Sequence, residues 1–68
     1  MKLSARNQFV GKIIEIKEGA VNAIVKIEIA KDTVISSTIS MDAVKELGLT
    51  IGSEATAVVK ATSVMIMA

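Results

Sequence analysis

Between residues 21 and 29 the side chains alternate: Val21, Ala23, Val25, Ile27 and Ile29 fall on one side, and Asn22, Ile24, Lys26 and Glu28 on the other. A period of two with one apolar face is the pattern of a strand whose one side is buried. Other segments repeat the theme. Residues 8–17 carry Val10, Ile13, Ile14 and Ile16, and Gly11 marks a bulge or a close backbone approach inside that strand. Glu18-Gly19 reads as a hairpin turn before the alternating strand, and Lys31-Asp32 as a second turn after it. Residues 33–40 are dense in β-branched side chains and form a third strand.

The pattern then changes. Ser40 has the chemistry of a helix N-cap, and Asp42 follows in the first turn, where negative charge suits the helix dipole. Met41, Val44 and Leu47 recur at helical spacing. Gly48 is placed as a C-terminal glycine, with Leu49 available for the apolar contact that accompanies such ends. So short a helix forms only against a sheet. Ile51-Gly52-Ser53 makes another turn, residues 54–60 a fourth strand and residues 64–67 a short fifth. Five strands with a helix between the third and fourth match an OB-fold. The expected class is all-β, a five-stranded OB-fold barrel with one short helix, in a single domain over residues 1–68.

Size makes composition matter. A domain of 68 residues is marginal unless disulfides, a metal or assembly reinforces it. The chain has no cysteine and no histidine, so the first two routes are closed to their usual residues. Hydrophobic residues reach 51% of the chain, yet Phe9 is its one aromatic residue, and this surplus of small aliphatic side chains predicts subunit interfaces. No run of 18 uncharged apolar residues is present and the start lacks a signal-type apolar core, so the expected location is cytoplasmic, away from membranes.

Catalysis finds little to work with, since His, Cys, Tyr and Trp are all missing. Asp42 and Glu46 share a helix face, and Glu15 and Glu18 flank a turn. Solvated carboxylates beside Lys45, Lys12 and Lys17 explain both pairs better than a hard-cation site. No enzyme and no metal ligated directly by protein is expected. A nucleic-acid-binding OB module is the alternative reading. It suffers from the single aromatic residue, because base stacking worth ~1–3 kcal/mol per base is then nearly absent. The net charge of +1 gives no general footprint for nucleic acid either. A third reading is an assembly subunit with no ligand.

Anion binding fits the donors better. Ser4-Ala5-Arg6-Asn7 groups a hydroxyl, a guanidinium and an amide. Ser36, Ser37, Thr38 and Ser40 crowd the end of the third strand, and Lys60-Ala61-Thr62-Ser63 closes the fourth. A tetrahedral dianion needs donors only, and these residues supply them.

The same stretches carry a family resemblance. Ser4-Ala5-Arg6-Asn7-Gln8 followed by Gly11-Lys12-Ile13, then Glu18-Gly19-Ala20-Val21-Asn22-Ala23, resembles the opening half of the molbindins. Ile39-Ser40 leading to Glu46-Leu47-Gly48-Leu49, and the run from Ala57-Val58-Val59-Lys60 through Ala61-Thr62-Ser63-Val64-Met65, continue the likeness over essentially the whole chain. These small molybdate-binding proteins of the Mop family are related to the TOBE domains of molybdate transporters and regulators. The resemblance implies an OB-fold subunit in a homohexamer, a trimer of dimers, that stores or buffers molybdate or tungstate between subunits. The oxyanion is its bound ligand, and no catalytic cofactor is implied. Carried over residue by residue, the anion contacts fall on Ser4, Arg6, Ser40 and Lys60, with Ala5 and Ala61 as backbone donors. Some relatives have serine where Ala61 stands, so a hydroxyl contact is lost there. A second oxyanion site is assigned to the hairpin of Gly19, Ala20, Val21 and Asn22.

Overall fold

The computed structural model describes Ser4 and residues 6–68; Ala5, one of the expected backbone donors, lies outside the described residues. The chain runs β1 (Asn7–Glu18), β2 (Asn22–Ala30), β3 (Thr33–Ser40), α1 (Met41–Leu47) and β4 (Glu54–Val59), then a 3₁₀ turn over Ala61–Ser63. The strands form one antiparallel sheet in the order β3-β2-β1-β4. β1 is the hub: its first half pairs with β4, from Asn7 opposite Val59 to Lys12 opposite Glu54, and its second half with β2. The sheet curls into a half-barrel, mostly β with one short helix, and is OB-like.

Two features of β1 allow the curl. The register slips between Ile13 and Glu15, a bulge that adds local twist. At Gly11 a Cβ would stand 2.4 Å from the Glu28 carbonyl oxygen, so only glycine permits the approach of β2 there. The sequence marks Gly11 for a bulge or a close approach; the approach is at Gly11 and the bulge follows it.

The apolar face of β2 is where the alternation puts it. Ala23, Val25 and Ile27 are buried with Ile13, Val44 and Ala57, and Ile29 packs at the edge of this cluster. Val21 departs from the pattern at 72% exposure, because it precedes the first paired residue of β2 and belongs to the hairpin.

The helix is capped as its sequence requires. The Ser40 Oγ accepts a hydrogen bond from the Ala43 N–H at 3.0 Å. At the other end Gly48 takes a left-handed conformation (φ 63°). Its N–H bonds the Lys45 carbonyl and the Leu49 N–H bonds that of Val44, each at 3.1 Å, which is a Schellman ending. Leu49 thereby turns onto the core, while Leu47, expected on the apolar face, stays 69% exposed. The loop after α1 is sutured to β1, with Gly52 N–H on the Ile13 carbonyl (2.7 Å) and Ile13 N–H on that of Ser53 (2.9 Å).

The fifth strand is the main correction. After β4 the chain folds into the 3₁₀ turn, with Ser63 N–H on the Lys60 carbonyl at 2.9 Å, and residues 64–67 pair with no strand among the described residues. A β-prone composition makes a strand only where a ladder accepts it, and this tail meets none: Met65, Ile66 and Met67 are more than 90% exposed. The sheet's two edges, β3 and β4, correspondingly flank an open apolar groove of about 180 Å³, lined by Val25, Ile27, Ile39, Leu49, Ala55 and Ala57 among others.

Candidate functional site

Asn7 opposite Val59 is the last rung between β1 and β4. Beyond it the chain on one side carries Arg6 and Ser4, and on the other Lys60 and the 3₁₀ turn. Antiparallel pairing thus brings together two donor-rich motifs from opposite ends of the sequence. They line one open cleft of about 430 Å³, formed by Ser4, Arg6, Asn7, Lys60, Ala61 and Thr62.

The cleft's electrostatics are simple. Among the described residues its wall holds two basic side chains, Arg6 and Lys60, and no carboxylate. Neither cation has an ion-pair partner among the described residues, where the one salt bridge joins Lys26 to Glu15 at 3.8 Å on the sheet surface. Like charges that line one cleft repel one another, and an anion between them relieves that repulsion. Around them stand a Ser hydroxyl, a Thr hydroxyl and an Asn amide, all able to donate. Arg6 offers a planar fork of N–H groups, whereas Lys60 offers a compact charge on a flexible stem.

Of the expected site residues, Ser4, Arg6, Lys60 and Ala61 therefore come together. Asn7 and Thr62 join them; both lie in the donor-rich stretches of the sequence but outside the set carried over by resemblance. Ser40 does not join them. It pairs opposite Asn22, beside the hairpin that follows the far end of β1, and lines neither this cleft nor the next.

A second, shallower cleft of about 290 Å³ occupies that far end, lined by Lys17, Glu18, Gly19, Asn22, Ala23, Ile24 and Thr38. Gly19 and Asn22 of the expected second site are part of it; Ala20 and Val21 are exposed but not in its wall. The hairpin is held by Gly19 N–H on the Asn22 carbonyl (2.9 Å) and tied to α1 by Met41 N–H on the Val21 carbonyl (2.8 Å). Glu18 offsets Lys17 here, so this cleft attracts an anion less than the first.

No group of three or more carboxylates is placed to hold a metal ion among the described residues, and none of the helices described is long and apolar enough to cross a membrane. A curled sheet with a cationic, donor-lined cleft defines a binding module of OB-like architecture. Residues 3–66 match the TOBE domain, and the chain belongs to that family. It is 59% identical to a probable molybdenum-pterin-binding protein of Haemophilus influenzae over 97% of this chain and 96% of that one. Its fold superposes on MopII of Clostridium pasteurianum with a TM-score of 0.92 and 54% identity, covering 98% of this chain and all of that one. The molybdate-binding protein of Sporomusa ovata gives 0.93 at 35% identity over the full length of both. The cytoplasmic molybdate-binding protein ModG, solved with molybdate bound, gives 0.85 at 46% identity over 90% of this chain and 43% of that one. The resemblance to molbindins drawn from the sequence motifs is borne out, and the family's role is binding rather than catalysis.

Proposed function

We propose that this protein binds molybdate, or the closely similar tungstate, in the cytoplasm and stores or buffers it as a homo-oligomer with sites completed between subunits. The observation that carries the reading is the terminal cleft, where, among the described residues, Arg6 and Lys60 stand without an ion-pair partner beside hydroxyl and amide donors and no carboxylate lines the wall. Two cations match a dianion. Removing such an ion from water is costly unless hydrogen bonds replace its hydration, and charge-assisted bonds from Arg, Lys, Ser and Thr are the strong kind.

The cleft is open, so a single subunit leaves part of the anion in water. Ser40, an expected ligand, lies toward the opposite end of β1 in its own chain. One anion touching both Arg6 and Ser40 therefore takes them from different copies. As an N-cap acceptor Ser40 still has its hydroxyl proton to donate. The same assembly would complete the five-stranded barrel, with residues 64–67 pairing along a free sheet edge of a neighbouring copy over the apolar groove. A trimer of dimers, with Ala5 and Ala61 as backbone donors and the Gly19 to Asn22 hairpin contributing a second class of site, is the full form of this reading.

Selectivity follows from size and protonation. Sulfate is smaller and leaves donors out of reach, while phosphate near neutral pH carries a proton that a site rich in donors accommodates poorly. Titration calorimetry with molybdate, sulfate and a single-stranded oligonucleotide tests the proposal. Molybdate binding well above sulfate is expected. Heat from the oligonucleotide alone would favour a nucleic-acid module, and no heat from any would favour a purely structural subunit.

A further inference from the structure

We infer that Thr62 supplies a side-chain hydroxyl to the oxyanion of the terminal cleft, an assignment that rests on the anion-binding reading above. In an extended strand, consecutive side chains point to opposite faces. Had the chain continued straight from β4, Ala61 and Thr62 would lie on different sides of the sheet. It folds instead into the 3₁₀ turn closed by Ser63 N–H on the Lys60 carbonyl and Val64 N–H on the Ala61 carbonyl (2.9 and 3.3 Å). In that turn Lys60, Ala61 and Thr62 all line the same cleft, whereas Ser63 does not. The Thr62 hydroxyl has no hydrogen-bond partner among the described residues, and its proton rotates freely to suit an acceptor.

This assignment also answers a deficit in the site. Ala61 has no polar side chain to offer, so the turn contributes a charge through Lys60 but no hydroxyl unless Thr62 provides it. Adjacent Ser63, which carries the same functional group but does not line the cleft, serves as an internal control.

Calorimetric titration of the intact protein with molybdate separates the possibilities. Thr62→Val, which keeps the branched shape and removes the hydroxyl, is expected to weaken binding about tenfold, in the range for losing one hydrogen bond to a charged partner. Thr62→Ala should repeat the loss, Thr62→Ser should stay within about twofold of the unsubstituted chain, and Ser63→Ala should leave binding unchanged. Equal binding by Thr62→Val and the unsubstituted protein overturns the assignment, as does a loss in Ser63→Ala as large as in Thr62→Val. Failure of the unsubstituted chain itself to bind molybdate removes the anion-binding reading and this one with it. The two failures are thus told apart by which protein is silent.

Discussion

Single residues set both the shape of this sheet and the charge of its cleft. Gly11 is the clearest structural case. Any side chain there drives a Cβ into the Glu28 carbonyl and the Ile27 Cγ2, and backbone in the middle of a sheet has little room to give. Gly11→Ala is expected to cost about 2 kcal/mol or more, seen as a lower denaturant midpoint with an unchanged slope. Arg6 is the clearest functional case. Its side chain is exposed and outside the core, so Arg6→Ala should leave the thermal midpoint within about 2 °C while weakening molybdate binding by a factor of ten to a hundred or so. Normal binding by that variant would show that the guanidinium is not a ligand. Arg6→Lys separates charge from geometry, because lysine keeps the charge and loses the fork.

At the scale of elements, local signals were the legible ones. The alternation of β2, the Ser40 cap and the Gly48 ending are each written in a few neighbouring residues, and each formed as expected. What depended on distant partners was harder to read. Leu47 fits the helical spacing but is exposed, because the Schellman ending delivers Leu49 to the core in its place. Residues 64–67 have the composition of a strand but find no ladder among the described residues. Within the site, two motifs far apart in sequence meet because β1 and β4 are antiparallel, and resemblance found them without knowing that pairing. Thr62 lies in the donor-rich run Lys60-Ala61-Thr62-Ser63 of the sequence but outside the set carried over by resemblance. Ser40 offers a test at this scale. Ser40→Ala removes the cap and should lower stability by about 1 kcal/mol. If Ser40 also meets an anion held by another copy, molybdate binding will fall in the same variant, whereas Ser40→Asp, which restores the cap and adds a negative charge, should recover stability without recovering binding.

The whole molecule is short of core. Among the described residues six are buried in the main cluster, and large aliphatic side chains such as Val10, Val21, Val58 and Ile66 are exposed. Such a surface is what the proposed homo-oligomer would cover. Truncation after Ser63 leaves the sheet and the terminal cleft in place but removes the apolar tail. Native mass spectrometry is expected to show smaller species than the full chain gives at the same concentration, with fewer molybdate ions per subunit. An undiminished assembly would exclude the tail from the contacts that hold the copies together.

The meeting of Arg6 and Lys60 just past the last rung of β1 and β4 bears on how the fold is fastened. An ion gripped by both residues closes a loop that takes in nearly the entire polypeptide, much as a cross-link would in a chain that has no cysteine to make one. Molybdate would then slow fraying at the open end of the sheet, and amide protons of Gln8 and Val58 should exchange with solvent more slowly in its presence than those of the β2–β3 hairpin at Lys31 and Asp32.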